Sequence, residues 1–488
     1  MLFNSWQFAV FFPCVFLLYY AIPHRVRWVF LLIASYYFYM SWDARLVWLI
    51  AAVTLVSYLT ARIIGASEKK TVRRAALVGA VGFSLGLLFF YKYFNFFSNS
   101  VSALLARFSL PVHPVTLNLI LPVGVSFYTF QTLSYVIDVY RGDLKAERHL
   151  GLYALYVSFF PQLVAGPIER STNLLPQFYE KHTFQYDQVM RGLKTMAIGF
   201  FKKLVIADYV AGFVNLVYNN LPEYSGFSLV MATVLFSLQI YCDFSGYSDI
   251  AVGAAQMMGF RLMKNFDAPY LARSIKEFWR RWHISLSSWL MDYVYIPLGG
   301  SRVSKPRHYL NLMVTFLLSG LWHGANWTFV LWGALHGVYQ VAGNATRAWR
   351  ERAYRALGIS QENRAIVVMK ILITYGLVCL AWIFFRANTL GDVGYVFAHA
   401  MDGLSRPLSY VKEGLGAMGI GKTVLIRLLL TGAVLWGLDW MEKRKKDPIR
   451  WMDGWPKLLK WGVYLGYMMV MIYLSPYDAP ADFIYFQF

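Results

Sequence analysis

Two histidines set in apolar sequence are where this chain could do chemistry. His323 lies in Ser319-Gly320-Leu321-Trp322-His323-Gly324-Ala325-Asn326-Trp327, and no Asp, Glu, Lys or Arg occurs between residues 308 and 346. An ionisable ring at bilayer depth is costly, so it implies either partners or a functional role. A neutral imidazole, with an unperturbed pKa of ~6.5, can take a hydroxyl proton as that hydroxyl attacks a thioester, the step acyl transfer requires. His283 lies forty residues earlier, in Trp282-His283-Ile284-Ser285. It could stabilise an oxyanion if it is charged or presents its N–H. Asn326, three residues after His323, is a helix-face neighbour able to fix the imidazole tautomer. His336 lies about 140° around a continuous helix from His323 and reads as packing or a hydrogen bond to a neighbouring helix. The structural alternatives are a packing histidine between helices for His323 and an interfacial histidine beside tryptophans for His283.

The elements that hold these rings must be membrane helices. The 488 residues are 58% hydrophobic and 18% aromatic with 15% charged, a polytopic membrane balance. Apolar windows at or near the roughly 17–25 residues of a crossing recur at 6–22, 46–61, 75–90, 367–385, 424–440 and 461–474, with a shorter one at 29–40. The start lacks a basic n-region and a cleavage site, which predicts a retained first helix. The net charge of +20 falls in clusters between apolar spans, which points to membrane topology and away from nucleic acid. With those clusters cytoplasmic, both termini are extracytoplasmic. A single membrane-embedded domain is expected over 1–488, with N-terminal helices at 1–115, a catalytic core at 116–345 and C-terminal helices with an extracytoplasmic tail at 346–488. Cys14, Cys242 and Cys379 show no CxxC spacing, so no metal site is predicted.

Helix breakers interrupt the core at Pro122-Val123-Gly124, Phe160-Pro161, Gly166-Pro167 and Asp243-Phe244-Ser245-Gly246, where Ser245-Gly246 is expected to shape a helix break. Lys202, Lys203, Asp208 and Asp249 in apolar windows predict re-entrant or interfacial helices, with the cations snorkelling to headgroups. The stretch 270–300 predicts an amphipathic helix at the membrane surface, with Phe278, Trp282, Leu286 and Trp289 on one stripe. Arg273, Lys276 and Arg280 lie towards its polar side, a face that could meet lipid headgroups or the phosphates of a nucleotide-bearing donor, for which Lys276, Arg280 and Arg281 are the candidates.

Taken together, Trp322-His323-Gly324, Phe278-Trp279-Arg280-Arg281-Trp282-His283-Ile284-Ser285, Pro122-Val123-Gly124-Val125-Ser126-Phe127-Tyr128, Phe160-Pro161-Gln162-Leu163 and Asp243-Phe244-Ser245-Gly246-Tyr247-Ser248-Asp249 resemble the membrane-bound O-acyltransferase family. The similarity runs over nearly the whole chain and is strongest to the branch that modifies bacterial polysaccharides, including alginate and peptidoglycan O-acetylation. The resemblance implies an all-α integral-membrane fold, a ring of tilted transmembrane helices with re-entrant helices around a central tunnel. It implies His323 as the catalytic histidine and His283 at a second polar position. It also implies a bacterial cell inner membrane location, acetyl-CoA as donor substrate without a bound cofactor, membrane lipid around the protein, and a polysaccharide as final acceptor. An extracytoplasmic hydrolase-like acetyltransferase partner would complete the transfer.

The sequence closes on Asp482-Phe483-Ile484-Tyr485-Phe486-Gln487-Phe488, which reads as an interfacial aromatic anchor or as a carrier in which Tyr485 accepts the acyl group. D-alanyl transfer to teichoic acid is an alternative reaction within the family. A transporter of acyl donor or lipid-linked sugar is an alternative of another class. There is no GxSxG, HExxH or Walker A loop, which argues against a self-contained serine hydrolase or a nucleotide-driven pump.

Overall fold

The computed structural model describes residues 1–110, 113–119, 122–164, 166–475 and 483–484, and the regular elements among them are all helical. Among the described residues five helices are long and apolar enough to cross a bilayer: Ala44–Ala66, Lys70–Arg107, Phe227–Met257, Arg364–Arg386 and Lys422–Lys443. The apolar windows at 6–22, 29–40 and 461–474 also form helices, as Trp6–Ala21, His24–Met40 and Lys457–Leu474. The chain packs as two compact units, Met1–Ala197 with Tyr247–Met263, and Ile198–Gly246 with Lys264–Phe488.

In the first unit, the Ser5 hydroxyl starts the first helix by accepting the Phe8 N–H at 3.3 Å, and Pro23 interrupts the chain before the second helix. Behind them is an aromatic core in which Phe3 meets Phe8 at 4.8 Å and Phe38 meets Phe160 at 5.7 Å between ring centres. Helix Val125–Arg141 is buried along nearly its whole length, and its start at Gly124, with φ of 75°, matches the break expected around 122–124.

In the second unit, the outer face of helix Lys422–Lys443 exposes Leu429, Leu430 and Trp436, an apolar surface suited to lipid. The part of helix Phe227–Met257 in this unit is instead buried, from Leu235 and Phe236 to Tyr241 and Phe244. No break occurs at Ser245-Gly246: the helix runs unbroken through 243–246. The glycine serves close packing, since a Cβ there would sit 2.8 Å from the Gly199 carbonyl oxygen and 3.1 Å from the Lys203 nitrogen.

Two further expectations change in this unit. Lys203 does not snorkel to headgroups; its ammonium is buried, 2.7 Å from Asp208 and 2.8 Å from Asp243. Two carboxylates within contact distance satisfy the charge where it stands, so the stem has no reason to reach for water. The stretch 270–300 is not one surface helix either. It consists of helix Ile275–Trp279, a turn through His283, helix Ile284–Leu290 and the π-helical turn Met291–Tyr295. Its apolar stripe is core: Phe278, Trp282, Leu286 and Trp289 are all buried, with Phe278 stacked on Trp282 at 5.5 Å. Periodicity reveals that one face is apolar, and protein can cover that face as well as lipid does.

Candidate active site

The site is built within the second unit. His323 is the last residue of helix Lys305–His323, and a tight turn leads to helix Trp327–Ala345. The two helices press together at paired glycines: a Cβ on Gly320 would meet the Phe329 carbonyl oxygen at 2.3 Å, and one on Gly333 the Phe316 carbonyl oxygen at 2.3 Å. This close approach packs the His323 ring against Trp332, at 4.8 Å between ring centres. Phe385 at 5.5 Å and Trp322 at 5.0 Å complete three edge-to-face contacts around the buried imidazole.

Hydrogen bonding fixes the tautomer. His323 Nδ1 lies 2.6 Å from the backbone carbonyl oxygen of Ser319, one helical turn back. A carbonyl only accepts, so Nδ1 carries the proton, and in the neutral ring Nε2 carries the lone pair. Asn326 takes no part in this. Its amide oxygen accepts the Thr328 N–H at 3.1 Å to cap helix Trp327–Ala345, and its Nδ2 donates to the Asn388 carbonyl at 2.9 Å. The helix ends at His323, so the three-residue spacing no longer implies a shared face.

His283 adopts φ 43° and ψ 56°, left-handed backbone that costs a non-glycine residue on the order of 1–3 kcal/mol. The surrounding structure holds it there. The backbone at 265–267 pairs with that at 281–284, through Asp267 N–H to the Arg281 carbonyl at 2.9 Å and Ile284 N–H to the Asn265 carbonyl at 2.9 Å. The Asn265 side-chain oxygen, itself buried, accepts from Ser285 N at 3.2 Å and Ser285 Oγ at 2.9 Å, and lies 3.2 Å from His283 Nδ1. Because the Ser285 N–H can only donate, this Asn265 atom is the oxygen, and His283 Nδ1 is therefore its donor. Both histidines thus carry Nδ1–H and present Nε2 as the basic nitrogen. Their ring centres are 6.4 Å apart and nearly perpendicular at 82°.

His283 sits between two short helices, outside the five candidate spans, where burial and then the neighbouring His323 hold its imidazole well below its ordinary pKa. A neutral His283 spends its N–H on Asn265. It can donate to an oxyanion through Nε2 only after that nitrogen is protonated.

The basic residues divide. Arg281 is tied into the frame, to Glu277 at 2.9 Å and to the Asp267 carbonyl at 3.0 Å. Lys276 and Arg280 are exposed. His336 accepts the Trp279 indole N–H on Nδ1 at 3.2 Å, the neighbour contact expected of it. Tyr485 lies outside the described residues. Among the described residues, no three of His, Cys, Asp and Glu converge as a metal site would require. Asn265, Ser285 and the Ser319 carbonyl are additions that the sequence did not suggest. Only Ser319 left a trace, its four-residue spacing before His323.

This geometry can be set beside known proteins. The chain is 42% identical over 393 residues to the Pseudomonas aeruginosa protein named Probable alginate O-acetylase AlgI, an overlap of 80% of this chain and 73% of that one. The sequence model of the MBOAT, membrane-bound O-acyltransferase family, matches residues 148–376, which enclose both histidines. The chain belongs to the membrane-bound O-acyltransferase family. As a member it is a multi-pass membrane protein and an O-acyltransferase. The peptidoglycan O-acetyltransferase of Helicobacter pylori is 37% identical over 390 residues, 74% of this chain and 71% of that protein. The teichoic acid D-alanyltransferase of Bacillus subtilis is 29% identical over 324 residues, 64% of this chain and 77% of that protein. Among these acyltransferases the likeness is greater to those named for O-acetylation.

Proposed function

We propose that this membrane-bound O-acyltransferase takes an acetyl group from cytoplasmic acetyl-CoA and delivers it for O-acetylation of an extracytoplasmic polysaccharide such as alginate. The observation that carries the chemistry is the bond from His323 Nδ1 to the Ser319 carbonyl, which makes Nε2 the basic nitrogen. His323 Nε2 accepts the acceptor hydroxyl's proton as its oxygen bonds to the thioester carbonyl carbon. The carbon–sulfur bond then breaks, and the imidazolium returns the proton to the departing thiolate. His283 Nε2, across the pair, serves as a second proton acceptor in its neutral form and as an oxyanion donor once protonated. The exposed Lys276 and Arg280 are the candidates for donor phosphates.

In the same reading the protein lies in a bacterial inner membrane with both termini extracytoplasmic, and Tyr485 receives the acetyl group as an aryl ester. A phenol, with a pKa of ~10, is a better leaving group than a sugar hydroxyl, so that ester remains activated for a hydrolase-like extracytoplasmic partner. The test supplies labelled acetyl-CoA to purified wild type, His323→Ala and Tyr485→Phe. Label on the wild type that is absent from both variants supports the full route. Turnover that needs His323 but not Tyr485 removes the carrier step, and turnover independent of His323 removes the proposal.

A further inference from the structure

The second unit buries a lysine and two aspartates together. Lys203 Nζ is shared between Asp208 Oδ1 at 2.7 Å and Asp243 Oδ1 at 2.8 Å, with all three side chains nearly fully enclosed. An enclosed carboxyl group needs a partner for its second oxygen as well as for its first. Asp243 Oδ2 finds one in the backbone N–H of Ile484, at 2.7 Å and 241 residues away in sequence. Phe483 and Ile484 are themselves buried. The Phe483 ring lies 5.9 Å from Phe244, the residue after Asp243, and the Phe244 ring meets the His283 imidazole edge-on at 4.6 Å. Consecutive residues of one helix therefore grip the 483–484 segment: Asp243 by its backbone, Phe244 by its aromatic side chain. The second of them also touches His283.

We propose that Asp243, held in place by Lys203, is a docking residue for the chain's own segment at 483–484, and that this docking positions the segment for acyl transfer at the His283–His323 pair. A backbone amide as ligand makes the clasp indifferent to the side chain at 484. A charged acceptor in an enclosed site makes the bond stronger than a neutral acceptor would. The role in transfer rests on the reading given under Proposed function; the docking itself does not.

The test uses the full-length protein in detergent and two readings. Hydrogen–deuterium exchange of the peptide containing Ile484 reports docking, and the partition of labelled acetyl-CoA between hydrolysis and transfer to acceptor reports positioning. Asp243→Ala leaves Lys203 balanced by Asp208. It is expected to speed Ile484 exchange roughly 10- to 100-fold, the range for losing a hydrogen bond to a charged group, and to shift the partition toward hydrolysis. Phe483→Ala, which loosens the segment from its own side and leaves the charge cluster intact, is expected to do the same. It keeps the question answerable if Asp243→Ala does not fold. Asp208→Asn, which does not touch Asp243 Oδ2, is expected to keep Ile484 protected. Unchanged exchange in both Asp243→Ala and Phe483→Ala overturns the docking. Faster exchange with an unchanged partition overturns the positioning role. Turnover that does not depend on His323 would instead defeat the acyltransferase reading and leave the exchange result standing.

Discussion

The proton on the His323 ring is assigned by its own helix: Nδ1 donates to the Ser319 carbonyl at 2.6 Å, four residues back. A backbone carbonyl oxygen has two lone pairs, so that of Ser319, inside the helix, can take a side-chain donor one turn on besides its helical N–H. This local bond selects the tautomer with a basic Nε2.

Replacement of His323 by Ala is expected to lower acyl transfer by roughly 10²- to 10⁴-fold, the contribution of a positioned general base. Truncating this buried ring also costs packing, so a cooperative thermal transition in detergent must accompany the comparison. Steady-state turnover with labelled donor checks it, and a loss of less than tenfold contradicts the role.

Asn265→Ala leaves the enclosed Ser285 N–H and the His283 Nδ1–H without their acceptor, at a cost of about 1–3 kcal/mol. Asn265→Asp restores an acceptor and adds a negative charge beside Nδ1–H, which favours the imidazolium. The pH–rate profile of the Asp variant should therefore shift its acidic limb upward, whereas a purely structural role for Asn265 predicts recovery of stability without that shift.

Gly320→Ala and Gly333→Ala each drive a methyl into a carbonyl oxygen on the facing helix. Overpacking of this kind costs about 1–3 kcal/mol. Displacing His323 by an ångström can reduce rate on the order of 10²-fold. Thermal midpoints and turnover should fall together in both variants, and Gly343→Ala, whose Cβ meets nothing within 4 Å, should change neither.

Glu169, on the connection before the helix Ser171–Gln177 and outside the candidate spans, has its pKa pushed up to about 7, chiefly by burial. Hydrogen bonds from the Met263 N–H and from Asn173 Nδ2, the latter at 2.7 Å, oppose that rise without cancelling it. Between pH ~4.5 and about 7 the folded protein keeps a proton that the unfolded chain has lost. Stability falls as pH rises through that window and levels off above it. Unfolding midpoints measured from pH 4.5 to 8 should show this slope in wild type and a flatter one in Glu169→Gln.

The sequence made visible what depends on composition and on long runs. Apolar windows located the helices, and a run free of charge singled out His323. What it hid depends on which surface covers which. The stripe of Phe278, Trp282, Leu286 and Trp289 has the same spacing whether lipid or protein lies against it. Lys203 looked like a headgroup anchor because its partners Asp208 and Asp243 are five and forty residues on, too far for a local pattern to reveal a cluster. Gly246 looked like a break because a glycine that admits a neighbouring backbone and one that ends a helix read alike. Asn265 carries no signal at all, since its importance rests on a backbone pairing across eighteen residues.

The shared lysine also bears on how the protein is made. Helix Phe227–Met257, inserted alone, would carry the Asp243 carboxylate toward hydrocarbon at about 2.5–3.5 kcal/mol. Lys203 leaves the ribosome forty residues ahead of it, already beside Asp208 in the chain. Delivery of this helix into the bilayer is therefore favoured when the preceding segment is at hand to receive it, and Lys203→Met should lower membrane yield before it alters any step of catalysis.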